Sequence, residues 1–299
     1  MPAERFLLKE ILSVSIPDLQ IMDIGAMIEG EDRYQTLVSQ GVATVTGFEP
    51  NSENLKLLNA RQGAYKYLPN FLGDGKPATF HRTRYPGCSS LLEPNGDLIN
   101  LFTSIGAESA GGNFAVVETT EVKTSRLDDI EGLALPDYVK LDVQGAELLV
   151  LENAQKSFAD TVVLETEVEF VAIYKDQPLF CDIQKFLVGQ GFMLHKLLDI
   201  AGRALRPMRF KNPYRAMSQV LWADAIFIRD YTNLSVYSDQ QLLKASIILN
   251  DVYLSYDVVA RLLGEYDKRR STNFGAKYSA ALSSRKDLEF MYMNLKEQN

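Results

Sequence analysis

The chain has 299 residues, of which 46% are hydrophobic and 23% are charged, a composition typical of a folded globular protein. Its net charge of −8 argues against a nucleic-acid binder, although it leaves room for a local basic patch. Two cysteines exclude a disulfide framework, and no apolar run approaches the roughly 18 residues of a transmembrane helix. Because no secretory signal is recognised either, we expect a cytoplasmic protein.

Strand-like and helix-like segments alternate in the first part of the chain. An apolar run at 19–24 is followed by helical spacing, and a β-branched run at 42–48 leads into a Ser-capped helix at 52–58. A third strand is predicted at 65–71. Such a β-α-β-α-β series predicts right-handed crossovers and a parallel sheet.

The rest of the chain changes character twice. Residues 79–113 are rich in Pro and Gly and predict loops and short elements. An amphipathic helix is predicted at 180–189, and further strands at 116–122, 137–143, 161–170, 192–198 and 223–228. After Asp230 apolar residues recur at helical spacing, and 238–241 resembles a capping box. We therefore predict an α/β domain at 1–232 and a helical C-terminal extension at 233–299.

Two strand ends carry residues suited to a nucleotide. Asp23-Ile24-Gly25-Ala26 combines a glycine that permits close ligand approach with a helix start that favours anions, but alone it fits a plain turn better. Glu49, at the end of the next strand, could accept both ribose hydroxyls or serve as a cap or solvated charge. Its separation from Asp23 is close to the roughly 20 residues expected for the ribose role, so the pair favours a ribose-bearing ligand. A GxGxxG fingerprint is absent.

Two loops offer weaker candidates. Gly73-Asp74 fits a contact to an adenine edge and a simple turn equally well. Ser89 and Ser90 could line a substrate mouth, although their chemistry alone favours a solvated loop. Cys88 has no histidine nearby in sequence, so a cysteine nucleophile is not supported. With two histidines in the chain, we expect no zinc site.

Charged residues within an apolar strand mark a further site. Lys140 and Asp142 alternate with Val139, Leu141 and Val143, and burying such charges costs free energy unless they find partners. Glu167 belongs to the following strand, where a glutamate is expected to pair with Lys140. Asp142 could orient a cofactor amine or accept a proton. A carboxylate Mg²⁺ site is the less favoured alternative.

Together these segments resemble the FkbM family of S-adenosylmethionine-dependent methyltransferases over about residues 15–230. The resemblance is carried by Asp23–Ala26, Phe48–Asn51, Gly73–Asp74, Ser89–Leu91, Arg126–Asp129, Lys140–Glu147 and Glu167–Phe170. It implies an α/β, Rossmann-like class I methyltransferase fold. Its sheet would have seven mostly parallel strands, one of them antiparallel, sandwiched by helices. The family more often has Glu where this chain has Gln144, which weakens the case for a metal.

The resemblance also implies a set of cofactor contacts at the strand ends: Asp23, Gly25, Ala26, Met27, Glu49, Pro50, Asn51, Gly73, Asp74 and Asp142. The first strand end would meet the methionine part, Glu49 would hold the ribose hydroxyls, and residues 50–51 and 73–74 would surround the adenine. Asp142 would lie near the reacting sulfonium.

We therefore predict an O-methyltransferase acting on a hydroxyl of a sugar, glycan or natural product. Asp142 or Glu167 would be the base, and Ser89 and Ser90 would contact the acceptor. Two other classes remain open: another nucleotide-using α/β enzyme, such as a dehydrogenase, and a non-catalytic nucleotide-binding or scaffold protein that docks through its helical tail. We expect no nucleic-acid partner, and the C-terminal helices are candidates for a homodimer contact.

Overall fold

A seven-stranded sheet is the central element of the computed structural model, which describes residues 7–12, 18–28, 30, 32–108, 111–216 and 218–285. The strands of the described residues are β1 (Leu19–Ile24), β2 (Ala43–Phe48), β3 (Tyr65–Leu68), β4 (Phe71–Leu72), β5 (Pro77–Thr83), β6 (Val116–Ser125), β7 (Tyr138–Leu141), β8 (Val163–Glu169), β9 (Phe192–Gly202) and β10 (Val220–Arg229). The α-helices are α1 (Leu8–Leu12), α2 (Gln35–Ser39), α3 (Ser52–Asn59), α4 (Gly96–Ile99), α5 (Glu147–Glu152), α6 (Phe180–Gly189), α7 (Asp239–Asp251), α8 (Tyr256–Arg270) and α9 (Phe274–Ser283).

The sheet order is β3-β2-β1-β7-β8-β10-β9. The pairs β2–β3, β1–β7 and β7–β8 are parallel, whereas β10 is antiparallel to both β8 and β9. The predicted mostly parallel sheet with one antiparallel strand is therefore confirmed. In this topology the carboxyl ends of β1, β2 and β7 share one edge, where α/β proteins bind ligands.

Burial explains why the central strands read as nearly continuous apolar runs. Val139 and Leu141 of β7 and Leu164 of β8 are fully buried, as expected for parallel strands covered on both faces. Ile183 of α6 and Phe227 of β10 join the same core cluster. The core thus holds the strand ends, and the polar residues on them, in fixed positions.

A second sheet has three strands in the order β4-β6-β5. The predicted strand at 116–122 is confirmed as β6, which continues to Ser125 and pairs antiparallel with β5. Residues 77–83 form β5. Most of this strand lies in the segment 79–113, for which loops and short elements were predicted. This sheet brings Phe80 and Arg82 to the site described below.

The described residues divide into two compact units, one within 20–30 and 45–229, the other within 1–19, 31–44 and 230–285. In the second unit the Leu8 amide donates to Asp251 Oδ1 over 3.0 Å, so α1 joins the C-terminal helices, a grouping that the sequence did not predict.

The capping box is confirmed, since the Gln241 amide donates to Ser238 Oγ and the Ser238 amide to Gln241 Oε1. Residues 286–299 of the predicted C-terminal extension lie outside the described residues. None of the described helices is long and apolar enough to cross a membrane.

Candidate active site

A cleft of about 340 Å³ opens at the carboxyl ends of β1, β2 and β7. Its volume lies in the range of small-molecule sites. Most of the predicted site residues line it: Gly25, Met27, Glu49, Pro50, Asn51, Ser89, Ser90 and Asp142. Residues predicted from separate strand ends and from one loop therefore meet in a single cavity.

Asp23 and Ala26 are buried and do not line the cleft. Asp23 is almost fully buried, and its Oδ1 is 3.5 Å from Lys140 Nζ. Strand register places Lys140 beside both Asp23 and Glu165. The predicted pairing of Lys140 with a glutamate stays a prediction. The ion pair of Lys140 with Asp23 supplies the partner that a buried charge requires.

Gly73 and Asp74, predicted beside an adenine, do not line the cleft. The Gly73 amide donates to the Ser125 carbonyl, because β4 pairs with β6 immediately before it. Asp74 instead forms an ion pair with the exposed Lys76 at 2.6 Å. The residues just before them, Asn70 to Leu72, take the lining position.

Several residues that line the cleft were not predicted from the sequence. Phe71 and Phe80 meet edge to face with ring centroids 5.0 Å apart, and both line the cleft. Arg82 lies at the same wall and pairs with Glu118 at 2.8 Å. Two aromatic rings give this wall an apolar surface suited to a planar ligand ring. No local signal marks them, because their position depends on the pairing of distant strands.

Glu49 is a buried carboxyl at the end of β2. Its Oε1 accepts a hydrogen bond of 2.6 Å from the Asn51 amide. Burial raises the pKa of Glu49 to about 7, and the nearby charge of Asp23 adds to the effect. The group is therefore balanced between its acid and carboxylate forms near neutral pH.

This balance predicts a pH-dependent affinity for a ligand whose hydroxyls donate to the Glu49 carboxylate. Below pH 7 the acid form predominates and must lose its proton before it can accept two hydrogen bonds. We expect the Kd of S-adenosylhomocysteine to be about tenfold higher at pH 6 than at pH 8, as linkage to one proton requires. Calorimetric titration measures this ratio. In Glu49→Gln the Kd should be high and flat over the same range, and an unchanged slope would contradict the assignment.

Gly25 allows the end of β1 to approach the end of β7. Its φ is +80°, and a Cβ there would lie 1.8 Å from the Asp142 carbonyl oxygen. The Gly25 amide also donates to the Phe48 carbonyl over 3.1 Å. Glycine is thus required both by conformation and by space.

Asp142 and Glu167, the two candidate bases, are joined by Gln144. The Gln144 amide Nε2 lies 2.8 Å from Asp142 Oδ1 and 2.7 Å from Glu167 Oε2, and donates to both. Its Oε1 is 3.0 Å from the Tyr174 hydroxyl, which also lies 2.9 Å from the Cys88 carbonyl. Both the nitrogen and the oxygen of the Gln144 side-chain amide are therefore hydrogen-bonded. The Gln144 backbone has a left-handed φ of +56°.

The two carboxyls differ in their surroundings. Burial raises the pKa of Glu167 well above its usual range, and the charges of Asp142 and Glu169 reinforce the effect. Asp142 lines the cleft together with Gln144, whereas Glu167 does not. Asp142 is therefore the carboxyl that a bound molecule would meet.

Glu147, which the sequence reading did not assign, shapes the turn that carries this cluster. Its Oε1 accepts from the Val143 and Gly145 amides over 2.9 and 3.1 Å. Burial raises the pKa of Glu147 to about 7, with Asp142 contributing. Its position in the first turn of α5, where an acidic side chain is favourable, is the sequence feature that could have predicted this role.

The hydroxyls of Ser89 and Ser90 hold their loop in place. Ser90 Oγ donates to the Gln144 carbonyl over 2.6 Å and accepts from the Leu92 amide. Ser89 Oγ accepts from the Thr83 amide over 3.1 Å. The loop is thus fastened to the turn at Gln144, and direct contact with an acceptor stays a prediction.

The sequence matches the family model described as the methyltransferase FkbM domain over residues 23–194, more than half of the chain. The chain belongs to the FkbM methyltransferase family. This confirms the predicted family and the enzyme class, an S-adenosylmethionine-dependent methyltransferase. The search of curated proteins finds no significant match.

Solved structures show only distant similarity. Magnesium protoporphyrin IX methyltransferase from Synechocystis, with bound SAM, is 13% identical with a TM-score of 0.33, over 75% of this chain and 76% of that one. The 1,6-didemethyltoxoflavin-N1-methyltransferase of Burkholderia thailandensis is 11% identical with a TM-score of 0.32, over 74% of each chain. An uncharacterized Listeria monocytogenes protein is 10% identical with a TM-score of 0.35, over 92% and 97%. The fold assignment therefore rests on the strand order given above.

Proposed function

We propose that the cleft binds S-adenosylmethionine and that the enzyme methylates a hydroxyl oxygen of a sugar, glycan or natural product. One observation carries the proposal: the carboxyls of Glu49 and Asp142, from the ends of β2 and β7, line the same cleft as Gly25. Glu49 would bind the ribose of this cofactor. Asp142, farther along the same edge of the sheet, would lie near its sulfonium.

The residues present suit the cofactor. Glu49 would accept the ribose hydroxyls, and Phe71 and Phe80 offer an apolar wall for the adenine. Gly25 and Met27 would lie along the methionine part. When bound, the cofactor supplies a methyl group made electrophilic by its sulfonium.

Asp142 is the proposed base. A hydroxyl is a poor nucleophile, so a carboxylate that takes its proton as the new carbon–oxygen bond forms assists the transfer. Gln144 keeps the Asp142 carboxylate in one orientation through its amide hydrogen bond. Glu167, on the other side of that amide, would support Gln144 and not touch the acceptor. Holding the acceptor oxygen in line with the methyl group is the main task of the cleft walls.

Transfer of a labelled methyl group tests the proposal. The enzyme, labelled cofactor and pools of glycans or hydroxylated small molecules are incubated, and the label is located after hydrolysis as an ether methyl. Label on nitrogen or carbon alone would contradict O-methylation. Binding of NAD without S-adenosylhomocysteine would favour the dehydrogenase class, and binding of neither would favour a scaffold.

The same proposal includes a cytoplasmic location and a homodimer formed through the C-terminal helices. Light scattering of the full chain checks the second point. We expect twice the mass of one chain, and a monomer at all concentrations would contradict it.

A further inference from the structure

The connection from β9 to β10 concentrates positive charge in an acidic protein. Between Asp199 and Asp224 the chain has no acidic residue, while its net charge as a whole is −8. The cations of this segment, which we call the basic loop (residues 203–215), are Arg203, Arg206, Arg209, Lys211 and Arg215. Such a cluster attracts anionic partners despite the negative total.

Large apolar side chains are exposed among these cations. Leu205, Met208 and Tyr214 are 48%, 52% and 72% exposed, respectively. Arg209 and Lys211 are exposed beside them. The loop therefore presents positive and apolar groups together, a combination found where proteins lie on anionic membranes.

The base of the loop is firmly held. The Arg203 guanidinium lies 5.2 Å from the Tyr214 ring centroid and 4.9 Å from that of Trp222. The Thr103 amide donates to the Ala204 carbonyl, and the Arg206 amide to the Leu101 carbonyl, each over 2.8 Å. A loop fixed at its base loses little conformational entropy when its outer residues bind a surface.

The outer cations have no acidic partner within the described part of the chain, since no ion pair involves Arg209, Lys211 or Arg215. The loop leaves the sheet at the edge that also carries the cleft, because Trp222 of β10 pairs with Glu169 at the carboxyl end of β8. A partner bound there would lie at the same edge of the sheet as the cleft.

We propose that the basic loop docks the enzyme on the surface of an anionic lipid bilayer. The cations approach the headgroups, while Leu205 and Met208 enter the boundary between headgroups and acyl chains. A soluble polyanion would match the charge but would leave these aliphatic side chains in water. The inference concerns binding alone and does not depend on the methyl-transfer reaction.

Vesicle flotation of the full chain tests the proposal. We expect binding to vesicles of equimolar phosphatidylserine and phosphatidylcholine, weakening as salt is added, and little binding to phosphatidylcholine alone. The double variant Arg209→Gln/Lys211→Gln should bind about 30-fold more weakly, given the contribution of each cation near such a surface. Met208→Ser should weaken binding without altering its salt dependence.

A matched control removes two exposed cations elsewhere, Lys66→Gln/Lys185→Gln, and should bind like the wild type. All variants should retain affinity for S-adenosylhomocysteine, which shows that the fold and the cleft are intact. Equal losses in the control and the loop variant would overturn the proposal. So would loop-dependent binding to heparin without binding to vesicles, which would assign the loop to a soluble polyanion.

Discussion

Gly25→Ala is expected to abolish binding of S-adenosylhomocysteine and to lower the free energy of unfolding by about 2–4 kcal/mol, from overpacking and left-handed strain together. The new Cβ would lie 1.8 Å from the Asp142 carbonyl oxygen, so the end of β1 or of β7 must move. Because both strand ends line the cleft, either movement changes its shape. Urea unfolding and calorimetric titration measure the two effects.

Gly41→Ala separates strain from overlap. Gly41 also has a left-handed φ, +66°, but nothing lies within 4 Å of its would-be Cβ. We expect a loss of about 1 kcal/mol from conformation alone, with cofactor affinity unchanged. Equal losses in the two variants, or full cofactor affinity in Gly25→Ala, would show that the approach of β1 to β7 is not needed for the site.

Asp142→Asn is expected to lower kcat by roughly 10²- to 10⁴-fold, the usual range for loss of a general base. The change keeps the shape of the side chain, and the new Oδ1 can still accept from Gln144 Nε2. Affinity for S-adenosylhomocysteine should therefore change little. Single-turnover transfer of a labelled methyl group, measured once an acceptor is found, gives the rate.

Glu167→Gln is the comparison for this variant. Glu167 accepts from the same Gln144 amide, but only Asp142 lines the cleft. We expect a smaller fall in kcat, because the orientation of Gln144 is affected and the base is not. A larger effect for Glu167→Gln than for Asp142→Asn would transfer the role of base to Glu167.

Strand ends were the most predictable part of the site. Gly25, Glu49 and Asp142 each follow an apolar run, and the carboxyl ends of parallel strands meet at one edge whatever the details of packing. Local pattern and topology together therefore place these residues near one another before any side-chain contact is known.

Contacts between distant segments could not be predicted in this way. Phe80 reaches the cleft because β5 pairs with β6, and Gly73 leaves it because β4 pairs with β6. The hydroxyl of Ser90 is engaged by the Gln144 carbonyl, a partner 54 residues away. Such pairings depend on the packing of the whole domain, which the periodicity of a single segment does not contain.

The N-terminal segment gives a second example. Leu8 and Leu12 are buried, and the Leu8 amide is bound by Asp251 near the other end of the chain. Helical spacing after Asp230 predicted helices in the C-terminal extension, but no element was predicted for residues 8–12. Their association appears only when the two are brought together in the fold.

Calorimetric titration of the full chain at pH 8 with S-adenosylhomocysteine, and in parallel with NAD, tests the central claim most directly. We predict saturable binding of S-adenosylhomocysteine at one site per chain, strongly weakened in Glu49→Gln, and no binding of NAD. Binding of NAD alone, or S-adenosylhomocysteine affinity equal in the wild type and Glu49→Gln, would contradict the assignment of this cleft.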